Sequence, residues 1–383
     1  MKKINALFTC SILLAFACSS PKNNEENQSI NSNEWELQIV DSIQVDYLGQ
    51  LMLLAIHPDG NHFLFGNSAN NHLILTDGKG DIITTYEEPA DAPTSVGPLT
   101  TSATFLGDQI IAMGNNRLAV YDLKLQFLKS LKFPPIGRGM YYNGFDFLQP
   151  ISLQGENELL GFIGGPQNDI PSNQPEYYSQ YNLFELFNLD QETFSPVVPF
   201  HEKSRFLNGE AFDFLAPKFQ VDGSKVSFVY SNDSLLYSYD LSVEQDSFKA
   251  QSIPFDKFLL NPGYPMKGSP DYETKTDREG GIWSFFKIGD NHLITYTSGI
   301  ELENMPDLTQ EMEILIQELE RLNPMKWLVL DENGKSSRPQ LVSDKYRLNR
   351  QDNHGFIWAD QNVNSLEEEP EYAVFYKLKL VQK

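Results

Sequence analysis

Apolar runs of five or six residues, each closed by a short polar segment, recur from about residue 37 to the C-terminus. They are short for helices, rich in β-branched and aromatic residues, and bounded by Asp, Gly and Asn. That pattern predicts strands joined by tight turns. One unit repeats: an apolar strand ends in aspartate, a polar turn follows, and a second strand comes next. The copies are HLILTD to Asp77, RLAVYD to Asp122, LFELFNLD to Asp190, LLYSYD to Asp240 and MKWLVLD to Asp331, while YAVFYK ends at Lys377 without the acid. An aspartate at that position bonds the next backbone N–H groups and starts a turn. Successive copies are 45, 68, 50, 91 and 46 residues apart. The shortest spacings match one four-stranded propeller blade. The long ones hold insertions at 166–182, 262–281 and 302–324.

A second strand pair precedes each copy. Residues 53–56 and 62–65 flank Pro58-Asp59-Gly60, 103–106 and 109–112 flank Gly107-Asp108, 219–221 and 226–229 flank Asp222-Gly223, and 284–286 and 292–295 flank Gly289-Asp290. Closing strands are expected at 82–86, 127–133, 194–200, 248–255 and 338–342. The sixth unit, from Tyr346, runs out of chain before its outermost strand. Residues 37–45 have no blade of their own, and Ser42-Ile43-Gln44-Val45 resembles the closing strands Ser130-Leu131-Lys132-Phe133 and Ser252-Ile253-Pro254-Phe255. The expected fold is therefore all-β, a six-bladed β-propeller over 35–383 closed by its N-terminal strand. Closure leaves only short, protected edges. The competing arrangements are an open β-sandwich or two β domains, and pairing of 37–45 beside 372–380 separates them from the ring. Within blade five, 307–323 has Leu308, Met312, Leu315, Ile316, Leu319 and Leu322 on one helical face, which predicts one helical insertion.

The first residues read differently. Met1-Lys2-Lys3 precedes an apolar stretch from about Ile4 to Ala17, the layout of a secretory signal and too short to span a bilayer as a helix. Leu14-Ala15-Phe16-Ala17 before Cys18 resembles the lipobox of bacterial lipoproteins, in which the cysteine is acylated and becomes the new N-terminus. Residues 1–17 are thus expected to be a lipoprotein signal peptide and 18–34 a flexible tether from lipidated Cys18. The polar sequence after the cysteine cannot bury a core. Anchoring in the cell envelope follows, with the outer membrane favoured and its periplasmic or surface side left open.

Composition narrows the classes. The chain has 29 basic residues against 52 acidic ones, a formal charge of −23, which argues against nucleic acid as a partner. Cleavage before Cys18 removes Cys10, so the mature chain is expected to have no disulfide or cysteine-based metal site. Lipobox and blade repeat together resemble the Bacteroidetes-type lipoproteins of the six-bladed β-propeller kind. That group brings no shared chemistry to transfer residue by residue.

No nucleophile elbow, zinc-protease helix, phosphate loop, dinucleotide fingerprint or calcium loop is present, and no cofactor is expected. His57 and His62 lie five apart across a hairpin and His72 begins the next strand, so they read as turn-flanking surface histidines, with no metal site expected. The segments joining successive blades, 87–101, 134–145, 201–211, 256–281 and 344–354, fall on one face. They carry 10 Lys/Arg against 12 Asp/Glu, nearly neutral on an acidic body. Arg138, Arg205, Arg278 and Arg347 with Tyr141, Tyr142 and Tyr264 are the candidate ligand residues of that face, because aromatic and arginine side chains on long loops commonly build binding sites. The alternative for the arginines is pairing with local acids such as Glu202, Glu210, Asp277 and Asp344. Two functions stand: a binding or assembly module for an envelope protein or glycan, and a carbohydrate-active hydrolase or lyase at the channel mouth. For the second, Asp146 and Asp213, in equivalent positions of two blades, are the carboxylates to test.

Overall fold

A computed structural model describes residues 34–67, 72–97, 100, 102–134, 147–164, 167, 170, 174–212, 216–243, 248–265, 278–366 and 370–383. Six four-stranded antiparallel sheets form the blades of a propeller. Blade one runs Leu51–Ile56, His62–Asn67, His72–Asp77, Ile82–Tyr86, and blade two Ser102–Leu106, Gln109–Met113, Arg117–Tyr121, Phe127–Lys132. Blade three is Leu148–Leu153, Glu156–Gly161, Asn182–Asn188, Thr193–Pro199, and blade four Pro217–Asp222, Lys225–Tyr230, Leu235–Asp240, Lys249–Ser252. Blade five is Gly281–Ile288, Asn291–Thr297, Lys326–Leu330, Gln340–Leu341. Blade six takes Tyr346–Gln351, Ile357–Gln361 and Ala373–Gln382 from the end of the chain and its outermost strand, Trp35–Val45, from the beginning. That strand pairs antiparallel with the last one, Leu37 opposite Leu380 and Val45 opposite Ala373, so the ring is closed as the sequence predicts.

Each inner strand packs on the inner strand of the next blade, and the sixth on the first. Side-chain amides tie these strands together. Gln149 donates to the Phe219 carbonyl and accepts from the Val221 N–H, substituting for a neighbouring peptide group. Gln351 does the same with both backbone groups of Lys287. The core lies between blades. Leu54, Leu64 and Leu75 meet Phe105, Ile110 and Tyr121, while Phe63 and Phe65 of blade one meet Ile43, Trp358 and Phe375 of blade six. Middle strands are therefore apolar on both faces and read as continuous runs rather than alternating ones. The outermost strand Ile82–Tyr86 is largely exposed.

The aspartate turns have one construction. Asp77, Asp122 and Asp331 each accept through Oδ1 from the backbone N–H groups two and four residues on, and Asp352 does so at the inner hairpin of blade six. Blade three departs from the expectation: its strand ends at Asn188, and Asn188, not Asp190, accepts from Asp190 and Gln191. The blade-five helix is Met312–Leu322, shorter than 307–323, because Asp307 is used in a preceding turn, accepting from the Thr309 N–H and hydroxyl.

Candidate functional site

Turns in an antiparallel blade alternate between its two ends. Links between first and second strands, and between third and fourth, emerge on one face of the ring. Links between second and third strands, and from blade to blade, emerge on the other. The first face has mostly tight turns. The second carries the long segments: the connection within blade three that contains the helix Pro175–Gln180, the passages from blade three to four and from four to five, and the blade-five helix. This loop face is the one singled out from the sequence.

Part of it is a rigid shelf. Phe206 packs against Phe200, Phe212 and Tyr230, and the Tyr178 hydroxyl, from the short helix, accepts from the Phe212 N–H at 3.1 Å. Glu210–Ala211 pairs with Tyr264–Pro265, which joins the two blade-to-blade passages. Arg205 fastens the shelf to blade four. Its Nη1 donates to the Asn232 carbonyl and Oδ1 at 3.0 and 2.8 Å, its Nη2 donates to the Asn261 carbonyl, and its guanidinium lies over the Phe212 ring at 5.2 Å. Burial holds its pKa below the ordinary arginine value. Its partners are these amide oxygens and not the carboxylates of Glu202 or Glu210.

The other candidates are distributed as follows. Arg278 is exposed at a bridge whose backbone groups exchange hydrogen bonds with Ile300. Arg347 is exposed on the inner strand of blade six, opposite Asp360 in register. Tyr264 lies on the shelf, placed by its backbone pairing with Ala211. Cys18, Arg138, Tyr141, Tyr142, Asp146 and Asp213 lie outside the described residues.

Two features of this face are not apparent from the sequence. Trp283 sits at a bulge in the inner strand of blade five, 49% exposed, with its indole N–H donating to the Thr297 hydroxyl at 3.1 Å. It stands near the loop-face end of that strand, as Arg347 and Lys218 do on the inner strands of blades six and four. The run GIWSFF conceals it, because an apolar strand does not announce which residue a bulge turns outward. The inner strand of blade four and the second strand of blade six also hold charges. Lys218, half-buried on the inner strand of blade four, has its pKa pushed down to about 7 by burial and then by Arg350. Asp360, hydrogen-bonded through both oxygens to Asn349 Nδ2 at 3.0 and 2.9 Å, is raised to about 6 by burial against the pull of Asn349, Arg350 and Arg347.

No described protein family matches this chain, and no curated protein does. Solved structures do. A member of the DUF4221 family from Bacteroides vulgatus superposes with a TM-score of 0.63 at 12% identity, covering 92% of this chain and 100% of that one. A candidate exported protein from Bacteroides fragilis superposes with a TM-score of 0.53 at 12% identity, covering 91% of this chain and 95% of that one. The class is a six-bladed propeller closed by strands from both chain ends, and it resembles these Bacteroides proteins in fold.

Proposed function

We propose that this chain is a lipid-anchored envelope propeller that binds a protein partner on its loop face. The observation that carries the reading is the helix Met312–Leu322. Its apolar stripe is wider than the surface beneath it: Leu315, Leu319 and Leu322 are half-buried, while Met312 and Ile316 on the flank are 69% and 48% exposed. Glu311, Glu313, Glu318 and Glu320 surround them. An apolar strip with an acidic border on a rigid scaffold suits a partner surface that is apolar with a Lys/Arg rim. Exposed Trp283 on the same face is of the type that anchors protein interfaces.

Anchoring at Cys18 and export rest on the lipobox resemblance, and one structural neighbour is itself described as a candidate exported protein. The test has two parts. A photo-crosslinking residue at position 312 is expected to capture one envelope protein, and Ile316→Asp is expected to abolish that adduct without altering the circular dichroism of the propeller. An adduct that persists in Ile316→Asp, or none at all, rejects the docking surface. Cys18→Ser is expected to move the protein from the detergent phase to the aqueous phase and to remove labelling by a fatty-acid analogue. Labelling that survives the change rejects the anchor.

A further inference from the structure

The opposite face of the ring carries a second constellation. His57 and His62 are directly opposed across the inner hairpin of blade one: the pairing that sets Ile56 against Phe63 continues as a 2.9 Å bond from the His57 N–H to the His62 carbonyl. Opposed residues of a hairpin project to the same side, about 5 Å apart. Their rings meet edge to face with centroids 5.5 Å apart. Asp59, in the turn, lies between them. Its Oδ1 is 2.8 Å from His57 Nδ1 and its Oδ2 is 3.3 Å from His62 Nδ1.

The hydrogen-bonding pattern fixes what His57 offers. Its Nε2 lies 3.2 Å from the Gly107 carbonyl, which only accepts, so that nitrogen carries the hydrogen in the neutral ring. Nδ1 then bears a lone pair, consistent with the Asp59 N–H pointing at it from 3.3 Å. A lone pair 2.8 Å from a carboxylate oxygen is repulsive unless a proton or a metal ion lies between them, and a metal ion satisfies both groups at once. A backbone carbonyl bonded to the far nitrogen is also the usual support of a metal-bound histidine. The carboxylate is fixed as well, since Asp59 Oδ1 accepts from the Asn61 N–H at 2.7 Å.

We propose that His57, Asp59 and His62 bind a divalent transition-metal ion of the zinc class. One donor atom from each residue lies within 4.8 Å of the other two. Two donors each ~2.1 Å from one ion in a tetrahedral site stand about 3.4 Å apart, so small side-chain adjustments bring the three into coordination. Two imidazoles and one carboxylate favour zinc, nickel or copper over calcium or magnesium, and three protein donors leave a position open for water or a ligand. The site lies near a junction. The His57 ring packs edge-on against Phe105 of blade two, and His354 of blade six stands over Gly60, its Nε2 3.7 Å from where a Cβ would lie. A bound ion holds the hairpin of blade one at the place where blades six, one and two approach.

The probe is Zn²⁺ alone, added to the untagged full-length chain in detergent and followed by calorimetry, with Co²⁺ absorption reporting the donor set. Saturable one-to-one uptake and a rise in melting temperature are expected for the unaltered chain. His62→Ala and Asp59→Ala, which leave the His57–Phe105 packing in place, are each expected to weaken uptake about tenfold or more. His72→Ala, on the same blade but outside the group, is expected to change nothing. No saturable uptake by the unaltered chain, or equal uptake by His62→Ala and Asp59→Ala, overturns the assignment.

Discussion

Arg350 on the inner strand of blade six donates through Nε to the carbonyl of Leu53 on the inner strand of blade one, at 3.3 Å. Arg350 is 3% exposed and Leu53 fully buried. This bond joins the two ends of the ring from the channel side. On the other flank of blade six, at the rim, the Gln340 side chain of blade five donates to the Trp35 carbonyl of the closing strand at 2.7 Å. The seam where the last blade meets the first is thus held by a directed polar bond, from Arg350 to Leu53, as well as by the apolar cluster of Ile43, Phe63, Trp358 and Phe375.

Arg350→Met keeps most of the aliphatic volume and removes the donor. A buried carbonyl left without its charged partner costs about 1.5–3 kcal/mol, and a loss of that size is expected in urea unfolding. Arg350→Lys is expected to restore little of it, because the Nε donor part-way along the arginine side chain has no counterpart in lysine. Equal stability of Arg350→Met and the unaltered protein would show that this bond contributes nothing.

The first strand offers a contrast within a few residues. Ile43 is 5% exposed in the seam cluster, whereas Ile39 is 48% exposed. Ile43→Ala is expected to destabilise by about 2–5 kcal/mol, the range for large-to-small changes in a packed core. Ile39→Ala is expected to stay within about 0.5 kcal/mol. Similar denaturation midpoints for the two variants would mean that the strand adds pairing but little packing.

Gly80, in the outer turn of blade one, has φ +95°, and a Cβ there would fall 2.1 Å from the Gln44 carbonyl of the first strand. The turn therefore presses directly on the closing strand. Gly80→Ala must displace that backbone, and a loss above about 3 kcal/mol or failure to fold is expected. Gly107 has φ +56° with nothing within 4 Å of the added atom. Gly107→Ala is expected to cost only about 1 kcal/mol, from conformation alone. Thermal melts of the two variants side by side make the comparison.

Buried Glu185 and half-buried Lys218 pull stability in opposite directions with pH. Burial raises Glu185 from about 4.5 to about 8, although Gln167 Nε2 donates to it at 2.9 Å and the Ile163 backbone also bonds it. Between those values the folded chain holds a proton that the unfolded chain has released, so stability falls as pH rises through that window. The whole shift corresponds to an upper bound on the order of 4–5 kcal/mol. Lys218, lowered to about 7 from 10.5, is neutral when folded and charged when unfolded between those values, so stability rises with pH there. Glu185→Gln is expected to flatten the decline between pH 5 and 8, and Lys218→Met the recovery above pH 8, both read from denaturant midpoints. A decline that persists unchanged in Glu185→Gln rules out that residue as its source.

The ring was legible in the sequence because its signals are local and repeated. Strands buried between two neighbours must be apolar on both faces, and each turn needs an acceptor at its first position. The link between Trp35–Val45 and the last strand followed from the one incomplete blade. What the sequence could not carry depends on register or on competition between nearby groups. Asn188 performs in blade three what Asp190 was expected to do, since either side chain can open such a turn. Trp283 turns outward only because a bulge shifts the alternation. His57 and His62 read from the sequence as turn-flanking surface residues of one hairpin, and what the sequence did not carry is that Asp59 in the turn lies between their rings. Of the loop-face candidates, Arg205 is positioned to hold the shelf together, a role that composition alone does not distinguish from ligand binding.

The makeup of the sixth blade has a consequence for biosynthesis. A chain made from its N-terminus produces Trp35–Val45 before every other propeller strand and its hydrogen-bonding partner, Ala373–Gln382, after all of them. The earliest strand must therefore wait, through the emergence of five other sheets, for Ala373–Gln382 before its backbone groups are paired. A ribosome-stalled or prematurely terminated product retains one unmated edge on blade six. For such a chain, holding factors matter until Ala373–Gln382 is available to pair.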